Sequence, residues 1–168
     1  MTTRDTADAI DARLLLAMNR DPRAATVALA DEVGVSRNTV QARLNKWTRS
    51  KALTPFDRCI DPAFLGYPLR AFVLTRVRQR LLTEVSAALT EVPEVVEVLG
   101  LSGGADLLIQ VVVKDADDLY RVAGQILGVR GVRRTNTSLV MRELVDYRLT
   151  QLIARDSEDG SSTNRLGV

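Results

Sequence analysis

Apolar residues recur at helical spacing through the first fifty residues of the chain. Ile10, Leu14, Leu15 and Met18 share one face of a predicted helix that Asp8 or Thr6 could cap and that ends at Asp21-Pro22. A second helix is predicted from about Thr26 to Glu32, and Gly34 then supplies a turn, because glycine adopts positive φ without strain. A third runs from Arg37 to about Ser50. Three short helices with a glycine turn between the last two are typical of a helix-turn-helix domain.

After residue 68 the pattern changes to alternating or continuous apolar runs of strand length. It predicts strands over 69–77, 95–101, 107–113 and 132–141, with helices over 82–89 and 115–127. This order is that of a ferredoxin-like βαββαβ fold, in which the helices cover only one face of the sheet. The other face needs a cover, so we expect a homodimer through this domain, with amphipathic residues 144–153 packed at the interface.

The chain therefore divides into two predicted domains of an α+β protein. Residues 1–55 form the helix-turn-helix domain, residues 56–68 a linker with two prolines and one glycine, and residues 69–154 the ferredoxin-like domain. A short extended piece is predicted over 53–56. Serine, aspartate, glutamate, glycine and asparagine dominate residues 155–168, which we expect to be a disordered tail.

The charge distribution and the composition of the chain exclude several classes of function. The net charge is only +2, but residues 1–55 hold nine basic and six acidic residues, whereas the remainder holds fourteen and fifteen. Histidine is absent, which removes the commonest general base, proton shuttle and metal ligand. The one cysteine, Cys59, allows neither an intrachain disulfide nor a thiolate cluster, and we interpret it as a small half-buried linker residue. No run approaches the roughly 20 apolar residues that span a bilayer, so we expect a cytoplasmic protein without a membrane partner.

The third predicted helix carries the positive charge. Residues 36–51 contain five basic residues and no acid. Val40, Leu44 and Trp47 form an apolar side, and the remaining side bears cations, amides and hydroxyls that reach phosphates and base edges of double-stranded DNA. The candidate DNA-binding residues are Ser36, Arg37, Asn38, Thr39, Gln41, Arg43, Lys46 and Arg49, of which Arg43, Lys46 and Arg49 are assigned to the phosphate backbone. The alternative is a three-helix bundle with a solvated charged face.

Several motifs in order resemble the Lrp/AsnC family of feast/famine transcriptional regulators over about residues 8–153. They are Ile10-Asp11 with Asp21-Pro22-Arg23, the run LADEVGVSRNTVQAR from Leu29 to Arg43, Leu101-Ser102-Gly103-Gly104-Ala105-Asp106, and Gly131-Val132 with Thr135-Asn136-Thr137. The resemblance implies a winged helix-turn-helix followed by a RAM/ACT-like domain that dimerises and assembles further, to tetramers or octamers. Two departures are a linker without the longer glycine-containing strand of many relatives, and Ala105 where aromatics are common.

The resemblance also implies a small amino-acid effector bound between C-terminal domains near the glycine turn. Exposed amides at Gly103 and Gly104 can cradle a carboxylate, and Asp106 can pair with an α-ammonium group. The candidate effector-binding residues are Ser102, Gly103, Gly104, Asp106, Thr135 and Thr137. The alternative is a tight hairpin in which Asp106 caps backbone amides and the threonines are only strand formers. No cofactor or metal is expected.

Three functions remain open on these grounds. The first is a sequence-specific transcriptional regulator, not an enzyme, whose assembly and DNA binding respond to an amino acid. The second is an architectural DNA-binding protein without an effector. The third, a tetrapyrrole decarboxylase on the same scaffold, is disfavoured because the related decarboxylases rely on histidine.

Overall fold

The computed structural model describes residues 6–155, which form two compact units. One unit comprises residues 6–55 together with 145–155, and the other spans Phe56–Leu144. The second unit thus ends ten residues before the predicted domain boundary at 154. The predicted tail lies outside the described residues, except for residue 155, which closes a helical segment over 150–155. Within residues 6–155, no helix is long and apolar enough to cross a membrane.

The first unit begins with three helices, α1 (Ala9–Arg20), α2 (Thr26–Val33) and α3 (Arg37–Ser50). Asp8 caps α1 in a capping box, in which its side chain accepts from the Asp11 amide and the Asp11 side chain accepts from the Asp8 amide. Gly34 ends α2 at φ 74°, a left-handed conformation that residues with a side chain rarely adopt. The apolar sides of the helices meet in one core, whose buried members are Leu14, Ala17, Leu29, Ala30, Val33, Val40 and Trp47.

An ion triad links α1 to α3. The Nη1 atom of Arg43 lies 2.5 Å from Oδ2 of Asp8 and 3.0 Å from Oδ2 of Asp11. Asp11 is 1% exposed, so its carboxylate depends on Arg43 for a counter-charge. Burial raises the pKa of Asp8, but the Asp11 amide and the Arg43 guanidinium lower it more, and the net pKa lies below its ordinary 3.8. The same hydrogen bond to Asp8 raises the pKa of Arg43.

The second unit has the predicted ferredoxin-like order. Its elements are β1 (Leu69–Val77), α4 (Leu82–Thr90), β2 (Val95–Gly100), β3 (Leu107–Val113), α5 (Ala116–Gly128) and β4 (Val132–Leu139). The four strands form one antiparallel sheet in the order β2-β3-β1-β4. The predicted fold class is therefore confirmed, and β4 ends two residues earlier than expected.

Alternation along the strands gives the sheet two different faces. Ala71, Val73 and Thr75 of β1 are fully buried. The apolar members of this face form one core with residues of both helices, namely Val85, Leu89, Val122 and Ile126. The intervening residues form what is here called the second face, and on β1 and β4 they are half-buried or exposed: Arg70, Phe72, Leu74, Arg76, Arg134, Asn136 and Ser138.

The segment predicted as a short extended piece and a linker differs from expectation. Residues 53–55 form no strand, so residues 6–68 contain no wing of the kind that the family resemblance implies. Pro55 lacks the amide that a strand ladder requires. Two 3₁₀ helices follow, Phe56–Cys59 and Pro62–Leu65, and Asp61 caps the second by accepting from the Ala63 amide. Cys59 is exposed, not half-buried.

Gly131 is a position where a side chain should destabilise the second unit. Its φ is 108°, and a Cβ there would lie 2.9 Å from Cγ2 of Val85 and 3.1 Å from Cβ of Leu81. We expect Gly131→Ala to lower the free energy of unfolding by about 2–3 kcal/mol, measured by urea denaturation. The control is Gly124→Ala in α5. A Cβ at this position would meet nothing within 4 Å, so the substitution should leave the free energy of unfolding unchanged or raise it. Equal stability of the two variants would contradict the close packing of α4 against Gly131.

Removal of Arg43 should destabilise the first unit. Arg43→Ala leaves the buried Asp11 carboxylate without its counter-charge, and we expect a loss of about 2–3 kcal/mol in the free energy of unfolding. Arg20→Ala is the control, since Arg20 pairs with Glu32 on the surface and an exposed pair contributes little. Similar losses for both variants would show that the triad has no special role.

Asp8 should make the stability pH-dependent in acid. Its pKa is depressed in the folded state, so its contribution is present above pH 3.8 and is lost as the pH falls through the folded-state pKa. Asp8→Asn keeps an N-capping side chain but loses the charge. We expect the stability difference between wild type and Asp8→Asn to be constant above about pH 5 and to shrink as the pH falls below 4. A difference independent of pH would rule out the ionic part of this contact.

Candidate nucleic-acid interface and ligand pocket

The exposed side of α3 is built from amide side chains. Asn38, Gln41 and Asn45 lie at i, i+3 and i+7 and are exposed, while Val40 and Trp47 on the opposite side are buried. The Nε2 atom of Gln41 donates to Oδ1 of Asn45 at 3.2 Å, so the two amides are held side by side. Carboxamides present both a donor and an acceptor, which is the pattern that adenine offers in the major groove.

Cations flank this amide row. Arg37 stands at the start of α3 and Arg49 in its last turn, and both are exposed. Within residues 6–155, neither has a carboxylate within 4.0 Å. The first turn of α3 contains no acid, so its amides keep the positive end of the helix dipole available to an anion. The exposed side of α3 is therefore polar in the middle and positive at both ends.

Ser36 and Thr39 build the start of α3. The Ser36 hydroxyl accepts from the Thr39 amide at 3.1 Å, and the two hydroxyl oxygens lie 2.8 Å apart. Both candidates are thus engaged in capping, although Ser36 stays exposed and Thr39 half-buried. They fix the direction in which Arg37 and Asn38 leave the turn.

Arg43 does not stand with the other candidates. It is half-buried and its guanidinium is turned to Asp8 and Asp11 of the α1 capping box. Its charge is already balanced within the unit, so the geometry favours Arg37 and Arg49 over Arg43 as phosphate contacts, and the assignment of Arg43 stays a prediction. Asn45 was missed by the sequence interpretation, although its spacing from Asn38 and Gln41 places all three on one side of a helix.

The second candidate region is the turn between β2 and β3. The Asp106 carboxylate accepts from the Val77 amide at 2.9 Å through Oδ2 and from Nε2 of Gln79 at 3.0 Å through Oδ1. The Asp106 amide donates to the Thr75 carbonyl at 3.0 Å. Both carboxylate oxygens thus attach the turn to the end of β1. This geometry favours the alternative in which Asp106 caps backbone amides over the predicted pairing of Asp106 with an ammonium group.

A cleft of about 470 Å³ opens beside this turn. Its lining comprises Leu74, Thr75, Arg76, Leu101, Ser102, Gly104, Ala105, Arg134 and Asn136. Ser102 and Gly104 are the predicted residues that it contains. Gly103, at φ 103°, shapes the turn without lining the cleft.

Register decides which β4 residues reach the cleft. Thr135 pairs with Thr75 and Thr137 with Val73, which places both threonines on the face that packs on the helices. They do not line the cleft, so the geometry of this chain does not support their assignment to the ligand site, which stays a prediction. Arg134 and Asn136 take their place, because they pair with Arg76 and Leu74 on the second face. The period of two along any strand, which puts Arg134 and Asn136 on the face opposite to Thr135 and Thr137, was the signal that could have identified them.

Both halves of the chain match known families. Residues 8–46 match the AsnC-type helix-turn-helix domain, and residues 70–150 match the Lrp/AsnC ligand binding domain.

Relatives cover four fifths of the chain or more. It is 29% identical over 135 residues to the HTH-type transcriptional regulator FL11 of Pyrococcus horikoshii, an alignment covering 80% of this chain and 89% of that protein. It is 30% identical over 141 residues to the HTH-type transcriptional regulator AldR of Mycolicibacterium smegmatis, covering 82% of each. The feast or famine regulatory protein from M. tuberculosis complexed with L-methionine has a similar structure, with a TM-score of 0.74, 24% identity and coverage of 86% of this chain and 98% of that one. With both domains matched in order, the chain belongs to the Lrp/AsnC family of transcriptional regulators.

Proposed function

We propose that this chain regulates transcription by placing α3 in the major groove of duplex DNA and that a small ligand bound in the C-terminal cleft adjusts this binding. The observation that carries the proposal is the exposed side of α3, where three carboxamides lie between Arg37 and Arg49. Among residues 6–155, neither arginine has a carboxylate within 4.0 Å. Amides discriminate bases, and arginines at both ends meet phosphates on either side of the groove.

The ligand role rests on the cleft beside the Ser102–Asp106 turn. Related regulators have been described with L-methionine, and this chain has the matching ligand binding domain. The cleft offers backbone at Gly104, a hydroxyl at Ser102 and apolar contacts from Leu74, Leu101 and Ala105. An amino acid or a molecule of similar size fits such a site.

The two roles are connected through assembly. The second face of the sheet carries half-buried Phe72 and Leu74, and we propose that a second copy of the chain covers it. Two copies of α3 would then read half-sites about one helical turn of DNA, or a multiple, apart. The ligand can shift the assembly only by its difference in affinity for the two arrangements.

The DNA-binding role is testable by the salt dependence of binding. Fluorescence anisotropy would be measured at several salt concentrations on a duplex selected from a random pool and on unselected duplex. Arg37→Ala and Arg49→Ala should each weaken binding to both duplexes and reduce the slope of log K against log salt by about 0.9 for each phosphate that the variant no longer neutralises. Asn38→Ala and Asn45→Ala should instead reduce the preference for the selected duplex by about 1–3 kcal/mol, with the slope unchanged.

Arg43→Lys is the matched control, because it preserves the charge of α3 at a position directed into the unit. It should leave the salt slope unchanged. If Arg37→Ala and Arg49→Ala leave affinity and slope at wild-type values, α3 is not the DNA-binding surface. Tight binding without preference for the selected duplex, and without response to any amino acid, would favour an architectural role instead.

A further inference from the structure

Two arginines face each other across neighbouring strands at the cleft. Arg76 of β1 and Arg134 of β4 are register partners, both are exposed, and both line the cleft. Like charges directly opposite each other in an antiparallel pair are destabilising. The folded protein carries this repulsion at the place where a ligand is proposed to bind.

No acid of the described chain balances the pair. Within residues 6–155, neither guanidinium has a carboxylate within 4.0 Å. The lining of the cleft contains these two cations and no acidic side chain. Asp106, the acid of the adjacent turn, is occupied by the Val77 amide and the Gln79 side chain.

The surroundings add to the positive potential. A neighbouring hollow of about 370 Å³ is lined by Val77, Arg78, Gln79, Arg80 and Arg133, so three further arginines lie at this end of the sheet. None of these three has an ion pair among the described residues. Clustered charge of one sign in a concave site attracts ligands of the opposite sign.

This charge pattern is unsuited to a zwitterion with a neutral side chain. Such a ligand would bring an ammonium group beside two guanidiniums and find no carboxylate in the lining. A ligand with a second acidic group would instead be attracted by the two arginines, since a guanidinium binds a carboxylate through two parallel hydrogen bonds. One acidic group would meet the arginines and the other the backbone and hydroxyl of the Ser102–Gly104 turn, with Leu74 and Leu101 against the methylenes between them.

We infer that the cleft takes a small dicarboxylate, such as an acidic amino acid or a dicarboxylic acid, and that Arg76 and Arg134 determine this selectivity. The inference rests on the proposed ligand role of the cleft and specifies the chemical class that the cleft accepts.

Isothermal titration with isosteric pairs tests the inference. L-glutamate and L-glutamine have the same shape and differ by one charge, as do L-aspartate and L-asparagine. We expect the acidic member of at least one pair to bind tenfold or more tightly than its amide, and glutarate to bind despite having no ammonium group. Binding should weaken as salt is raised, because the attraction is ionic.

Variants locate the effect. Arg76→Gln and Arg134→Gln should each weaken binding of the acidic ligand tenfold or more while leaving binding of the amide unchanged. Arg130→Gln removes the same charge from an exposed position that lines neither hollow, and it should bind the acidic ligand as wild type does.

The outcomes separate this inference from the proposed function. Equal binding of glutamine or another neutral amino acid would overturn the charge selectivity and leave a ligand-responsive regulator in place. No binding by any member of the panel would overturn the dicarboxylate class and leave DNA binding through α3 to its own salt-dependence test. A preference for inorganic phosphate over glutarate would assign the site to phosphate and overturn the dicarboxylate class. A changed oligomeric state of ligand-free Arg76→Gln or Arg134→Gln in sedimentation would show that a subunit contact uses the pair, and would also overturn the inference.

Discussion

The period of two along a β-strand is the constraint on which the second unit depends. Because successive side chains point to opposite faces, burying Ala71, Val73 and Thr75 under the helices forces Leu74 and Arg76 onto the second face. Antiparallel pairing with β4 then fixes Arg134 and Asn136 beside them. The composition of the cleft follows from this register, and a slip of β4 by one residue would move Arg134 and Asn136 from the second face to the face under the helices.

The elements were largely predictable because their signals are local. Asp8 before an apolar-periodic run predicts a helix start, and Gly34 predicts the turn before α3, each from residues a few positions apart. The order of strands and helices in the second unit follows from the same kind of evidence, and so does its fold class. The wing implied by the family resemblance is not found within residues 6–68. The sequence of residues 53–56 is compatible with an extended conformation, but no partner strand lies within residues 6–68 to form a sheet with it.

The sites were less predictable because partners far apart in sequence decide them. Arg43 lies among four other basic residues between residues 36 and 51, and nothing within that stretch distinguishes it from a phosphate contact. Its carboxylate partner Asp8 is 35 positions away. Asp106 likewise finds Val77 and Gln79 only through the sheet, 29 and 27 positions away. Arg43 is thus paired with carboxylates of its own unit, and the Asp106 carboxylate is held by two neutral donors. In both places a side chain predicted to meet a ligand already has partners within the protein.

The fluorescence of Trp47 can report on the folding of the first unit. It is the only tryptophan of the chain, and it is 4% exposed in the core that α3 shares with α1 and α2. Fluorescence excited at the red edge of the absorption band therefore originates in the first unit alone and is silent about the sheet. Undocking of α3 would move the indole into water and shift its emission to longer wavelength, so the melting of the DNA-binding unit can be followed separately from that of the ligand-binding unit.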